Sequence, residues 1–301
     1  MVDNERLKVS AIVETTYKLK LITPMAMHGA NAKEKAEFRI SSLRGVWRYW
    51  WRTLQEEKNH AALLEQEEEW FGGTQVKKQK SPVSLLLPRP LSGSKVESVL
   101  PHRTKSSFAV KTIPAGQETA VIMRALRKHE QLLETYELYF QYMLHLAGMG
   151  QRARRGFGAV QWEGHRWKTV ADFAASLQDV LIRLGQSERF QFADSGCIVK
   201  LKGEVHTYHP VLSAVWVGEG QKTPQEVLKR FGEASHRANR YGRLGAVRPK
   251  RFASPLWCTV RKIGDLYYPI ITEVEADSSV YKQPQYQRDR DSFLEIVGVR
   301  I

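Results

Sequence analysis

The sequence predicts an α+β protein of two packed domains, and three observations carry that reading. The chain has 301 residues, enough for two domains of roughly 150 residues each. Its first half alternates short strand patterns with two strongly periodic helices. Its second half mixes helix and strand signals again, in a less regular order.

Residues 15–23 (TTYKLKLIT) alternate polar and apolar side chains and stop at Pro24, as a half-buried strand does. After a loop, Ser41 and Ser42 offer N-caps to a helix through LRGVWRYWWRTLQEE, where Leu43, Trp47, Trp50 and Leu54 share one face. A second helical stretch, residues 65–70, ends at Gly72-Gly73. SPVSLLLP then reads as a short buried strand and residues 88–105 as a polar loop. Two alternating runs, 108–113 and 118–123, flank Pro114-Ala115-Gly116 and predict a β-hairpin. Residues 130–147 form a helix with Leu133, Tyr136, Phe140 and Met143 on one stripe, stopped by Gly148. The segment GMGQRARRGFG leads from it into a strand at 159–163. That order is close to βαββαβ, a ferredoxin-like domain of the kind RNA-recognition modules use. The boundary falls near Gly164, giving domains 1–164 and 165–301.

In the second half, residues 170–184 read as a helix. Residues 199–217 hold strand material interrupted by Pro210, which suggests an edge or a bulge. Thr223-Pro224-Gln225-Glu226 is a capping-box start with proline at the first helical position. LWCTVRKI and LYYPIITEV predict a hairpin around Gly264-Asp265, the tail after Asp277 is polar, and FLEIVGVRI reads as a last strand.

Charge narrows the function. Lys plus Arg number 46 against 32 Asp plus Glu, a formal net charge of +14. Such a surplus favours a polyanion, because each cation placed on a phosphate releases a condensed counterion. Eight tryptophans and eleven tyrosines add flat rings on which bases can stack. No apolar run reaches the ~18 residues of a membrane span, and the N-terminal MVDNERLKVS is no signal peptide, so a cytoplasmic protein without a membrane partner is expected. Cys197 and Cys258 stand alone, without CxxC or Cys/His spacing, so neither a metal nor another cofactor is expected.

Three arginine clusters carry the candidate chemistry. Arg44, Arg48 and Arg52 fall at i, i+4 and i+8 on the first helix, with Trp51 beside the stripe. Either Trp51 is an exposed stacking platform among guanidinium groups, or the face is solvated and Trp51 is half-buried. The glycine-rich loop brings Gly150, Arg152, Arg154, Arg155, Gly156 and Gly158 together, suiting a phosphate or sugar backbone. It is not a P-loop, because GxxxxGK[ST] is absent and the loop precedes a strand. A third run, RANRYGRLGAVRPKR, contains Arg248, Lys250 and Arg251 and no acid; it is either an RNA contact or a solvated loop. The first helix and the glycine-rich loop are expected side by side on one face. Glu65, Glu67, Glu68 and Glu69 read as a solvated helix face. His28, in MHGAN, is the one histidine in a loop suited to a general base, and nothing beside it completes a catalytic site.

ITPMAMHGAN, EFRISSLRGVWRYWWRTL and GQRARRGFG together resemble the RAMP superfamily of CRISPR proteins, and within it the first subunits of the Cmr complex, the type III-B effector. The likeness is strong over residues 20–54 and 148–158 and weak over 251–257 (RFASPLW). It implies two ferredoxin-like domains, no catalytic centre, and contact with the 3′ region of a guide RNA, with target RNA and with other Cmr subunits. The residues it marks are Arg39, Arg44, Arg48 and Arg52, then Arg152, Arg154 and Arg155 in the glycine-rich loop. Residues 88–105 and the tail after Asp277 match nothing in the family. The alternative from the same superfamily is a metal-independent guide-processing endoribonuclease using His28. A basic RNA-binding protein unrelated to CRISPR is the third reading.

Overall fold

The computed structural model describes residues 10–76, 78–101, 108–194, 196–246, 251–278 and 280–300. The first half contains β1 (Ile12–Leu21), α1 (Ile40–Arg52), α2 (His60–Phe71), β2 (Val83–Leu86), β3 (Lys95–Ser98), β4 (Ala109–Thr112), β5 (Glu118–Leu126), α3 (Glu130–Leu146) and β6 (Val160–Trp162). Its four-stranded sheet has the order β6-β1-β5-β2, with every neighbouring pair antiparallel. Alternation along β1 sorts the faces: Tyr17, Leu19 and Leu21 point inward, while Glu14, Lys18 and Lys20 stay in water.

The expected hairpin at 108–123 does not form. β4 pairs instead with β3, Lys95 opposite Thr112, so part of the loop expected at 88–105 is a two-stranded ribbon. β5 leaves the turn at Gly116 to enter the sheet between β1 and β2. Burial decides this, because Val121, Met123 and Ala125 must cover the helical layer, whereas Thr112 finds polar partners in Glu97 and the Lys95 carbonyl. The serines do not cap α1 either. Arg39 is its N-cap residue, without a side-chain capping bond, and Ser41 and Ser42 sit inside the first turn.

The second half follows as α4 (Val170–Arg183), β7 (Phe190–Phe192), β8 (Cys197–Leu201), β9 (Val211–Val217), α5 (Pro224–Arg237), β10 (Leu256–Ile263), β11 (Leu266–Glu275) and α6 (Pro284–Ile296). Its five strands, all antiparallel, lie in the order β7-β8-β9-β11-β10. Thr169 with Asp172 and Thr223 with Glu226 close capping boxes at the starts of α4 and α5. β9 begins just after Pro210, but it is a central strand with an irregular register between Leu212 and Ala214. The expected terminal strand is part of a helix. Pro284 opens α6, and Tyr286, Phe293 and Leu294 anchor it.

The elements stack in four layers. Helices α1, α3 and α4 lie between the two sheets, and α5 and α6 cover the far face of the second. Both faces of the second sheet are therefore buried, which explains the nearly continuous apolar runs of β9 and β10. Rings fill the middle layer: Trp47 meets Phe71 and Phe140 edge-on at centroid distances of 5.2 and 5.3 Å, and Trp50 meets Trp257 of β10 at 5.4 Å.

Two histidines are sealed into this layer. Burial, with Arg261 nearby, pushes His145 down to about 3; His165, stacked on Trp167, is held well below its usual value by burial, His145 and Arg261. Glu273 goes the other way, raised to about 7 by burial and by Glu275. The unfolded chain protonates both histidines below about pH 6.5 while the folded chain does not, so their effect is to lower stability as pH falls through that window. The stability linked to Glu273 is fully present below about pH 4.5 and lost as pH rises through 7. Between these limits the buried histidines make stability fall on acidification while the Glu273–Glu275 pair opposes that fall, and chemical denaturation over a pH series reads the balance as a slope. Glu273→Gln should make stability fall more steeply on acidification than in wild type; a slope unchanged by the substitution would contradict the assignment.

Candidate nucleic-acid interface

The stripe on α1 is divided between two tasks. Arg48 and Arg52 both turn to Glu67 of α2, with Nη to carboxylate distances of 2.5 and 2.8 Å. Glu67 is only 3% exposed and Glu68 only 2%, so the expected solvated acidic face is in part a buried one. Glu68 accepts the backbone N–H groups of Thr74, Gln75 and Val76 at 3.1, 2.8 and 2.9 Å, filling that nest itself. Arg44 has no carboxylate partner among the described residues. It lies half-buried, its pKa lowered by burial and by Arg48, in a groove of about 800 Å³ that Arg48, Lys78 and Lys80 also line. Lys78 and Lys80 are thus site candidates beyond the three arginine clusters, and Lys77 lies outside the described residues.

Trp51 is no platform. It is 1% exposed, walled in by Phe71, Trp70 and Tyr139, and none of the eight tryptophans is an exposed residue. The reason lies in helical spacing: Trp51 follows Trp47 by four residues, so it belongs to a broad apolar stripe that α2 covers.

The glycine-rich loop approaches protein on most sides. The Gln151 N–H donates to the Ala26 carbonyl at 2.8 Å, and a Cβ on Gly150 (φ +81°) would lie 2.6 Å from that same oxygen. Gly156 (φ +86°) donates its N–H to the Cys258 carbonyl in β10 and rests against the Phe231 ring. Gly158 donates to the Pro24 carbonyl, and its φ of +65° is again one that glycine adopts freely. These glycines serve close backbone approach between segments of the protein itself.

The loop's arginines differ in the same way. Arg155 points inward and donates to Ser254 Oγ and to the carbonyls of Arg154, Leu244 and Leu256. Burial lowers its pKa. Arg154 donates to the Ser254 carbonyl and sits over the Trp257 ring, 4.5 Å from its centroid, with Tyr49 of α1 at 5.6 Å. Arg152 is the one non-glycine among the described residues with a positive φ, +60°. Its guanidinium has no carboxylate partner among the described residues, and burial and Arg155 lower its pKa. Arg152, Arg154 and Arg155 meet Arg251 along a groove of about 500 Å³ floored by Trp257, and none of its described lining residues is an acid. Two clusters a hundred residues apart in sequence thus meet in one place. Arg248 and Lys250 lie outside the described residues.

Tyr49 and Arg154 bring α1 and the glycine-rich loop into contact, while Arg44 faces the other groove. Arg39 donates to the His28 carbonyl at 3.1 Å, and His28 Nε2 meets the Lys111 carbonyl at 3.0 Å. The open face of the first sheet, where an RNA-recognition module stacks bases, carries the pairs Lys18–Glu163, Lys20–Glu118 and Arg124–Glu14 and no ring among the described residues. Among the described residues no group of three His, Cys, Asp or Glu side chains could hold a metal ion, and no helix is long and apolar enough to cross a membrane.

A family model described as the RAMP superfamily matches residues 18–161. The CRISPR system Cmr subunit Cmr1-2 of Pyrococcus furiosus is 30% identical over 187 residues, an alignment that spans 49% of this chain and 94% of that protein. The chain belongs to the RAMP superfamily. The fold of this RAMP protein is similar to the crystal structure of Cmr1 from Pyrococcus furiosus in its apo form, with a TM-score of 0.64 at 20% identity over 96% of this chain and 99% of that one. A chain in a cryo-EM structure of the Type III-B Cmr-beta bound to cognate target RNA matches with a TM-score of 0.56 at 10% identity, covering 94% of this chain and 100% of that chain. At these identities the structural likeness is one of fold.

The arginines of this RAMP protein should separate by stability. Arg155→Ala leaves three backbone carbonyls short of a donor and should cost about 2–4 kcal/mol in denaturant unfolding. Arg152→Gly relieves a left-handed backbone and should stabilise by about 1 kcal/mol. Equal effects from the two variants would refute this division.

Proposed function

We propose that this chain is a non-catalytic, RNA-binding, Cmr1-type subunit of a type III-B CRISPR effector, acting in the cytoplasm in antiviral defence. In this reading it contacts the 3′ region of the guide RNA, helps engage target RNA and docks against other Cmr subunits. Its two halves, 1–164 and 165–301, are two ferredoxin-like units. The β6-β1-β5-β2 order supports this for the first. In the second, the run β9-α5-β10-β11-α6 supports a permuted version, with β8 beside β9 where the fourth strand would lie.

The observation that carries the function is the acid-free groove in which Arg152, Arg154 and Arg251 converge over Trp257. A groove of unneutralised guanidinium groups beside a close-packed backbone suits a phosphate chain better than a peptide or a small neutral ligand. Arg44 with Lys78 and Lys80 extends the basic surface. The nuclease alternative draws no support from His28, whose ring is tied to the Lys111 carbonyl and whose Nδ1 is enclosed without a partner among the described residues. A general base needs a free ring nitrogen facing its substrate.

The test is binding of labelled single-stranded RNA by the full chain across a salt series. Wild type should bind intact RNA with a steep salt dependence. Arg44→Ala, Arg152→Ala and Arg251→Ala should each lower the slope by about 0.7, the value of one phosphate contact on a single strand. Arg52→Ala should change it little, because that guanidinium already faces Glu67. Cut RNA, or no binding at all, would overturn the reading.

A further inference from the structure

A groove of arginines holds a strand by its phosphates and leaves the bases without a partner. Three Phe, Tyr or Trp rings among the described residues are more than half exposed: Phe108 at 51%, Tyr208 at 66% and Tyr241 at 77%. Phe108 sits at the open end of the β3–β4 ribbon. Tyr208 leans toward His60, at a centroid distance of 5.9 Å. Only Tyr241 belongs to a segment that lines the arginine groove, through Gly245 and Ala246. Gly242, its neighbour, backs onto Ala246: a Cβ there would lie 2.9 Å from the alanine Cβ.

This segment is built to hold its shape. The Asn239 side chain accepts the Leu244 N–H at 2.8 Å and donates to the Gly245 carbonyl at 2.7 Å, closing the loop across its base. Arg155 donates to the Leu244 carbonyl at 3.0 Å, tying the same loop to the glycine-rich one. One face of the Tyr241 ring is backed by the Arg243 guanidinium, 4.9 Å from the centroid, and Arg243 is itself held by Asp289 of α6 at 3.2 Å. The chain Asp289, Arg243, Tyr241 therefore fixes an aromatic ring with its outer face in water. An exposed ring backed in this way, on a segment that lines a cationic groove, gives up less entropy when a base stacks on it.

We infer that Tyr241 is the stacking platform for one unpaired RNA base at the edge of the arginine groove, with Arg243 positioning the ring from behind. The inference rests on the RNA-binding reading and adds to it a base contact that the arginines do not make. Because every base has a π-face, the platform should tolerate sequence.

The measurement is fluorescence titration of the full chain with a labelled single-stranded RNA and with a set of strands in which one abasic position is moved along it. Wild type should bind one or two of the abasic strands about tenfold more weakly than the intact strand, in the range of a single base–ring contact. Tyr241→Ala should bind the intact strand about tenfold more weakly, keep the wild-type salt slope, and be indifferent to every abasic position. Tyr241→Trp should restore wild-type behaviour. If Tyr241→Ala matches wild type on all strands while Arg152→Ala still flattens the salt slope, the platform is wrong and the groove survives. If Tyr241→Ala loses salt slope but not base dependence, the residue shapes the groove and stacks nothing. If wild type binds no RNA, the function and this inference fall together.

Discussion

Arg261 belongs to β10 of the second sheet, yet it closes the end of a helix that packs on the first. Its guanidinium donates to the carbonyls of His145 and Ala147, where α3 runs out of internal partners, at 3.0 and 2.9 Å. The C-terminal end of a helix carries about half a negative charge, so the cation meets both hydrogen-bond acceptors and a favourable field. Burial lowers the Arg261 pKa to about 9, which leaves the group charged near neutrality. A buried charge is tolerated only where its donors are satisfied. The two halves must therefore meet in this register, because any slide of β10 along α3 would strand a guanidinium in the core. The rest of β10 follows from that anchor. Trp257 donates to the Tyr49 hydroxyl of α1, Thr259 to the Ala147 carbonyl, and the Cys258 carbonyl accepts from Gly156.

The same economy of charge shapes the surface. α1 carries three arginines and no acid, but α2 returns one carboxylate, Glu67, to two of them. Glu68 spends its charge on backbone N–H groups. Acids that would shield the basic surface are thus drawn inside, and cations such as Arg44, Arg152 and Arg251 keep their field outside.

Much of the architecture was legible because periodicity and capping are local. The helices around Leu43–Trp50 and Leu133–Met143, the capping box at Thr223 and the turn at Gly264 lie where their patterns put them. What was not legible depended on partners far away in sequence. The run at 108–113 alternates as a hairpin strand should, but burial across the sheet sends its neighbour to β1. α6 hides because only a few of its side chains are apolar, and Pro284 is its main local signal. At the site, the clusters were visible as composition. Which arginine turns inward depends on Glu67, Ser254 and the Leu244 carbonyl, which no spacing rule connects to them. The family resemblance located the motifs without distinguishing Arg152, which faces the groove, from Arg155, which stitches the fold.

Strand pairing in the first sheet also sets a timetable for synthesis. β1 pairs with β5, Ile12 opposite Leu126, and with β6, Leu21 opposite Val160. A ribosome must therefore extrude most of the first half before the first sheet can close, since such distant pairings repay their loop entropy only once both strands exist. Trp50 waits longer still, because its cover includes Trp257. Until β10 emerges, the nascent chain displays an aromatic surface that the finished protein hides, the kind of surface that aggregates or recruits chaperones. Truncation before β10 should yield insoluble protein, because it leaves that aromatic surface permanently uncovered.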